Sequence, residues 1–205
     1  RKYGTMNDET FERSLYWLKR LCDRGTQKEV NINGNGESLL DPDLIPRIRR
    51  IVDIMQGREI SFSTNGTLMS YEMARNIRDA GIDKMSLSPH SPWHARRAVI
   101  DMLKAGLFVT INMGSVAMSH NWAGQLEPEN SIEMGFETDC DPLKDGRGYI
   151  QTEGGLSPCC YDFRGLGQFG TVFDDDLLDR PIKAYSLCIT CHQRIPEGIR
   201  AEVGL

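Results

Sequence analysis

Apolar positions along the first half of the chain recur in two alternating rhythms. Over residues 7–22 they fall at Phe11, Leu15, Leu18, Leu21 and Cys22, the spacing of one helical face, with Asn7 or Asp8 as the cap and Gly25 as the stop. Residues 29–33 then read as a buried strand. Pro42 opens a second helix, in which Leu44, Ile45, Ile48, Ile51, Val52 and Met55 keep the helical period until Gly57. The cycle continues with a strand over 59–63, a helix from a Ser70 cap to Ala80 closed by Gly81, and a strand over 84–88. A helix over 92–105, ended by Gly106, and a strand over 107–111 complete it.

Strands that recur every 25 to 30 residues or so, with a helix in each gap, require parallel pairing and right-handed crossovers. A closed barrel of eight such units needs about 200 residues, and the repeating pattern fits only within 1–137. The expected fold is therefore α/β: a partial parallel (β/α) barrel over 1–137, followed by a small, mostly irregular domain over 138–205. The C-terminal edge of a parallel sheet carries the ligand site. Here those edges are residues 33–38, 63–66, 86–90 and 112–115, all small, polar and turn-forming. Four aligned edges of this kind point to a shared small-molecule site. The aperiodic stretch 118–125 holds His120, Asn121 and Trp122 and suits either a loop over that site or a loop anchored by a buried Trp122. Beyond Cys140, residues 175–185 read as the one helix, despite Pro181.

Composition narrows the classes. The net charge of −5, with 24 basic and 29 acidic residues, argues against capture of a nucleic-acid backbone. No apolar run approaches the roughly 20 residues of a bilayer-spanning helix. Twenty Gly and nine Pro follow no period, which removes fibrous readings. The chain opens at Arg1 rather than Met, the expectation being a start inside a longer protein. The run Asp174-Asp175-Asp176 reads as a helix cap or a solvated face.

Five of the six cysteines lie in the last third: Cys140, Cys159, Cys160, Cys188 and Cys191. Such crowding suggests a metal centre in a reducing cytoplasm more than structural disulfides. The pair Cys188 and Cys191 can bind one centre from a single turn, and a hairpin over 149–157 with Gly154-Gly155 at its turn would bring Cys159 close. Zinc and an iron–sulfur cluster both accept four thiolates, and spacing alone does not choose between them. Cys22 reads as a small core residue. Cys160 reads as a packing residue or a spare thiol.

The pattern Cys140-x13-Gly154-x4-Cys159 followed by Cys188-x2-Cys191 resembles the abbreviated SPASM, or twitch, domain of radical S-adenosylmethionine (radical SAM) enzymes. The segment from Gly154 to Asp162 is similar to that family as well. Upstream, Asn35-Gly36-Glu37-Ser38 resembles the Gly-Gly-Glu-Pro motif that holds the amino group of S-adenosylmethionine. Gly36 and Glu37 match it, while Asn35 and Ser38 depart. Ser63-Thr64-Asn65 and Ser86-Leu87-Ser88 are similar to the strand ends that the family turns toward the methionyl and ribose groups. On this resemblance Glu37 accepts hydrogen bonds from the cofactor's ammonium while Gly36 lets the backbone come close. Read from the residues alone, Glu37 is equally a carboxylate placed at a helix start.

The resemblance implies an auxiliary [4Fe–4S] cluster on Cys140, Cys159, Cys188 and Cys191, which accepts or relays an electron, and bound S-adenosylmethionine. The family's catalytic cluster sits on a Cys-x3-Cys-x2-Cys triplet. Cys22 is the only cysteine before Cys140, so that second cluster is expected from upstream residues outside this sequence. The implied activity is that of an oxidoreductase or maturase abstracting hydrogen from a small molecule or peptide, served by a donor such as flavodoxin or ferredoxin. His120, Asn121, Trp122 and Tyr161 are candidates for substrate contact by position. The alternative is a non-catalytic zinc or iron–sulfur module on a partial barrel. A zinc hydrolase using His90 and His94 is disfavoured by Pro92 between them.

Overall fold

The computed structural model describes residues 4–23, 29–32, 36–82, 84–89, 91–112, 148–162 and 164–180. They form two compact units, one within Leu15–Ser119 and the other within Arg1–Ser14 together with His120–Leu205. The first helix, α1 (Asp8–Asp23), runs through the division. Asn7 caps it, its Oδ1 accepting from the Thr10 N–H at 2.8 Å. The buried side chains of α1 are Thr10, Ser14, Leu15, Trp17 and Cys22, whereas Phe11, Leu18 and Leu21, expected on that face, are only half-buried. The face is rotated toward Ser14, which burial tolerates because its hydroxyl donates to the Thr10 carbonyl at 2.7 Å.

In the Leu15–Ser119 unit, β1 (Glu29–Asn31), α2 (Leu44–Ile54), β2 (Glu59–Thr64), α3 (Tyr71–Asp79), β3 (Lys84–Leu87), α4 (Pro92–Lys104) and β4 (Phe108–Ile111) alternate as the periodicity required. The strands pair in parallel in the order β1-β2-β3-β4. Helix α2 starts at Leu44, with Pro42 in the preceding turn rather than in the helix. Ser70 and Ser91 cap α3 and α4 by accepting from the Met73 and His94 N–H groups, and Pro92 occupies the first turn of α4.

Helices α3 and α4 end in the same way. The Gly81 and Gly106 N–H groups reach the Arg78 and Leu103 carbonyls, while the Ile82 and Leu107 N–H groups reach back to Ile77 and Met102 at 3.3 and 3.0 Å. Each closure needs a positive φ, supplied by Gly81 at 107° and Gly106 at 84°. Each also drops a buried apolar residue, Ile82 or Leu107, at the mouth of the next strand. The core lies on one side of the sheet, where Phe62, Met85 and Leu87 pack with Ile48 of α2, Ile77 of α3, and Ala98 and Met102 of α4.

In the other unit, β5 (Tyr149–Ile150), β6 (Gly155–Ser157) and β7 (Gly170–Thr171) form an antiparallel sheet in that order. The expected hairpin is present, but its turn is Gln151–Gly154, with the Gly154 N–H donating to the Gln151 carbonyl at 2.8 Å and Gly154 at φ 84°. Gly155 is the first residue of β6, and its register is opposite Thr171. The helix expected over 175–185 is not formed in its described part. A single 3-10 turn over Leu177–Asp179 stands there, followed by Arg180 in extended conformation (φ −78°, ψ 130°). Arg180 precedes Pro181, whose ring excludes the helical region for the residue before it. The acidic run is largely solvated as expected, with Asp175 and Asp176 exposed, while Asp174 and Asp176 both accept from the Arg180 guanidinium, at 2.8 and 2.6 Å. Among the described residues no helix is long and apolar enough to cross a membrane.

Candidate functional site

Side chains alternate along a strand, and residues paired in register on neighbouring parallel strands share a face. Val30, Ile60, Phe62, Thr64, Met85, Leu87 and Val109 therefore face the helices. The other face carries Glu29, Glu59, Lys84 and Phe108 toward its N-terminal edge and Asn31, Ser61, Ser63, Ser86, Ser88 and Thr110 toward its C-terminal edge, with Asn31 opposite Ser61 and the row Ser63, Ser86, Thr110 crossing three strands. Parallel sheets normally bury apolar side chains on both faces. Toward its C-terminal edge this one presents hydroxyls and an amide instead, the serines half-buried and Asn31 and Thr110 exposed. The Ser61 Oγ is buried and has no hydrogen-bond partner among the described residues.

The expected site residues gather at the C-terminal edge of this face. Glu37 follows β1 and caps a 3-10 turn over Ser38–Leu40. Its Oε1 accepts from the Leu39 N–H at 3.1 Å and from the Thr64 hydroxyl at 2.8 Å, and its Oε2 accepts from the Asn65 N–H at 2.9 Å. The carboxylate thus fastens the segment after β1 to the end of β2. Thr64 is turned to the helix side, where its Oγ1 also accepts from the Gly66 N–H at 3.0 Å. Asn65 uses its Oδ1 on the Thr67 N–H at 2.8 Å, an Asx turn. Ser38 donates to the Ile32 carbonyl at 3.5 Å.

Of the residues expected to hold a cofactor, Ser63, Ser86 and Ser88 lie on the hydroxyl face. Gly36, Glu37, Ser38, Thr64 and Asn65 form the rim that shapes its edge. Gly66 sits at φ 78°, and a Cβ there would meet Leu87 Cδ1 at 2.6 Å and Ala98 Cβ at 2.9 Å, so the turn after Asn65 packs directly on the core. Ser61 and Thr110 were missed in the sequence. The signal was present, since Ile60-Ser61-Phe62-Ser63 and Met85-Ser86-Leu87-Ser88 alternate where a strand buried on both faces would not.

At the end of β6, Cys159 is half-buried and Cys160 exposed. The Tyr161 N–H donates to Cys159 Sγ at 3.4 Å, the kind of backbone bond that a metal-bound thiolate accepts. Cys159 is the one member of the expected ligand set among the described residues, which contain no group of three or more His, Cys, Asp or Glu side chains placed to hold a metal ion. Asn35, His90, His120, Asn121, Trp122, Cys140, Cys188 and Cys191 lie outside them. His94 is engaged locally, its Nδ1 2.8 Å from Ser91 Oγ at the start of α4. Cys22 is buried, and that burial pushes its thiol above the usual range against the opposing pull of Arg58.

The family model described as the Radical SAM superfamily matches residues 1–108. Among curated proteins, the chain is 28% identical over 110 residues to a GTP 3',8-cyclase of Campylobacter jejuni (strain RM1221), covering 51% of this chain and 33% of that protein. It is 33% identical over 109 residues to the GTP 3',8-cyclase of Trichodesmium erythraeum (strain IMS101), covering 53% of this chain and 28% of the relative. The matched stretch thus spans a third or less of these relatives' length. Among solved structures, BtrN in complex with AdoMet and 2-DOIA superposes with a TM-score of 0.66 at 17% identity, over 87% of this chain and 74% of that one. The structure of anSMEcpe with bound AdoMet gives 0.55 at 12% identity, over 95% and 74%. At these identities the structural likeness is one of fold.

Proposed function

The chain belongs to the radical SAM superfamily, and from that premise we propose that it works in an enzyme that binds S-adenosylmethionine on the hydroxyl face of its parallel sheet and abstracts hydrogen from a substrate. The observation that carries the reading is the polar row Ser63, Ser86 and Thr110 across three strands, with the unpartnered Ser61 hydroxyl beside it. Ribose and amino-acid groups need donors and acceptors of that kind. When bound, the [4Fe–4S] cluster and S-adenosylmethionine that the family implies supply a 5'-deoxyadenosyl radical by reductive cleavage.

The chain's own residues orient and enclose. Gly36 admits close backbone approach, and Glu37 holds the rim by its bonds to Leu39, Thr64 and Asn65. Ser63, Ser86 and Ser88 offer hydroxyls to the cofactor. Thr110, on β4, continues the same row. His120, Asn121, Trp122 and Tyr161 are proposed substrate contacts. The barrel over 1–137 is followed in this reading by an auxiliary-cluster domain over 138–205, with Cys140, Cys159, Cys188 and Cys191 as ligands. Held by those four thiolates, such a centre would supply acceptance or relay of one electron, which suits an oxidoreductase or maturase acting on a small molecule or peptide with a flavodoxin or ferredoxin as donor in the cytoplasm. The likeness to BtrN, whose structure was solved with 2-DOIA as well as AdoMet, supports the small-molecule branch.

No Cys-x3-Cys-x2-Cys triplet occurs in the 205 residues, so the proposal assigns the catalytic cluster to cysteines outside them. Iron, sulfide and zinc per chain test this, on protein prepared without oxygen from the longest reading frame that contains these residues. About eight iron and eight sulfide, followed by release of 5'-deoxyadenosine, is the expected result. About four iron refutes the two-cluster reading, and one zinc without iron favours a structural module.

A further inference from the structure

Asp162 is fully buried three residues beyond Cys159, and its carboxylate is saturated from both sides of the cysteine turn. From before the turn, the Ser157 hydroxyl donates to Oδ2 at 2.7 Å. From after it, the Leu166 N–H donates to Oδ1 at 2.7 Å and the Gly167 N–H to Oδ2 at 2.8 Å. The backbone is tied at the same point. The Asp162 N–H donates to the Cys159 carbonyl at 3.1 Å, and the Asp162 carbonyl accepts from Gln151 Nε2 at 2.7 Å and from the Gly165 N–H at 3.2 Å. Gln168 braces Gln151 in turn, Nε2 to Oε1, at 2.7 Å.

A buried carboxylate left short of donors is costly, so this set of bonds specifies one arrangement of residues 157–162 with 164–167. Within that arrangement lies the 3.4 Å bond from the Tyr161 N–H to Cys159 Sγ. We infer that Asp162 is a positioning residue for the Cys159 thiolate: by bridging Ser157 to Leu166 and Gly167 it holds the turn in which the Tyr161 N–H is aimed at sulfur. The inference rests on the reading of Cys159 as a cluster ligand. A hydrogen bond to a ligating sulfur draws electron density from it and favours the reduced cluster. Loosening the turn weakens that bond and shifts the midpoint potential of the cluster to more negative values.

Ser157→Ala removes one donor to Asp162 and leaves the carboxylate in place, which separates the effect from a change of charge; because the same hydroxyl also lies 3.5 Å from the Cys159 carbonyl, Asp162→Asn, which keeps that contact, reports on the bridge alone. In the anaerobically prepared full chain it is expected to speed exchange of the Tyr161 amide about tenfold, the loss of roughly one hydrogen bond. It also moves the midpoint potential of the centre that Cys159 binds to more negative values, with iron content unchanged. A stability role alone would lower the unfolding midpoint without moving that potential. Unchanged Tyr161 exchange and an unchanged potential in Ser157→Ala overturn the inference. Asp162→Asn, which places an amide N–H against the Leu166 or Gly167 N–H, is expected to move Tyr161 exchange further in the same direction; slower exchange than in Ser157→Ala overturns the bridging role. The ligand assignment is tested apart from this by Cys159→Ala: undiminished iron there refutes the assignment, whatever Ser157→Ala does.

Discussion

Replacing Glu37 by Gln distinguishes a residue that touches the cofactor from one that builds the place where the cofactor sits. The carboxylate accepts three hydrogen bonds, from the Leu39 N–H, the Thr64 hydroxyl and the Asn65 N–H, at 3.1, 2.8 and 2.9 Å. An amide has one carbonyl oxygen. Whichever way it turns, its NH2 faces either the Leu39 or the Asn65 N–H, so one backbone donor loses its acceptor and meets another donor. Bonds to a charged group contribute about 1.5–3 kcal/mol each, and an orphaned donor costs about 1–3 kcal/mol when fully buried. Glu37 is half-buried, so about 2 kcal/mol is the expected loss. For a chain of this length that is a fall in Tm of about 4–8 °C. Urea unfolding should give the same energy with an unaltered slope, and the Asn65 and Leu39 amides should exchange faster. Binding of S-adenosylmethionine, measured by calorimetry, should weaken together with stability, because the rim that receives it has loosened. If Glu37→Gln keeps the urea midpoint and the Asn65 protection of the parent while affinity falls tenfold, the carboxylate meets the ligand directly and the fastening argument is refuted.

Other consequences follow from the same geometry. Gly66→Ala forces a Cβ to within 2.6 Å of Leu87 and 2.9 Å of Ala98 at φ 78°; left-handed strain and overpacking together should cost about 2–4 kcal/mol in urea unfolding, and a loss below about 1 kcal/mol would refute the close packing of that turn. Burial raises the Cys22 thiol above its usual range, so at about pH 8 it stays protonated and shielded and should not react with a disulfide reagent until urea unfolds the chain. Rapid native reaction at Cys22, traced by peptide mapping, would contradict its burial at 1% exposure.

Much of the Leu15–Ser119 unit was legible because its elements are set by local devices. The helical period, the Ser70 cap and the Gly81 and Gly106 stops act within a few residues, and the structure keeps them within one or two positions. What escaped depends on distance or on competition. Two of the three partners of Glu37 lie 27 and 28 residues away, across a helix and a strand, so no local pattern announces them. In α1, Trp17 and two small polar residues took the buried face from Phe11, Leu18 and Leu21, since packing outranks a helical wheel when internal bonds can satisfy Ser14. The helix over 175–185 failed in its described part where Pro181 restricts Arg180 and where Asp174 and Asp176 bind that arginine across a turn. Strand β7 is two residues long and pairs through Gly170, too short for any period to show.

The hydroxyl face also carries an energetic argument. On the helix side, Phe62, Met85 and Leu87 are almost wholly buried, and burial of each stabilises the sheet by about 1.5–3 kcal/mol. Toward the C-terminal edge the other side is built from Asn31, Ser61, Ser63, Ser86, Ser88 and Thr110, which contribute little of that kind. A parallel sheet selected for stability alone would carry valine or isoleucine there. Retaining small hydroxyls on three adjacent strands forgoes several such contributions and leaves the Ser61 Oγ buried without a partner. The rim beside it is organised the other way, with the Glu37 carboxylate bonded to three donors and Gly66 packed on the core. A face of small hydroxyls next to a rim held by its own hydrogen bonds is the arrangement that binding a polar ligand requires: the rim keeps its shape without ligand, and the face offers donors and acceptors to it.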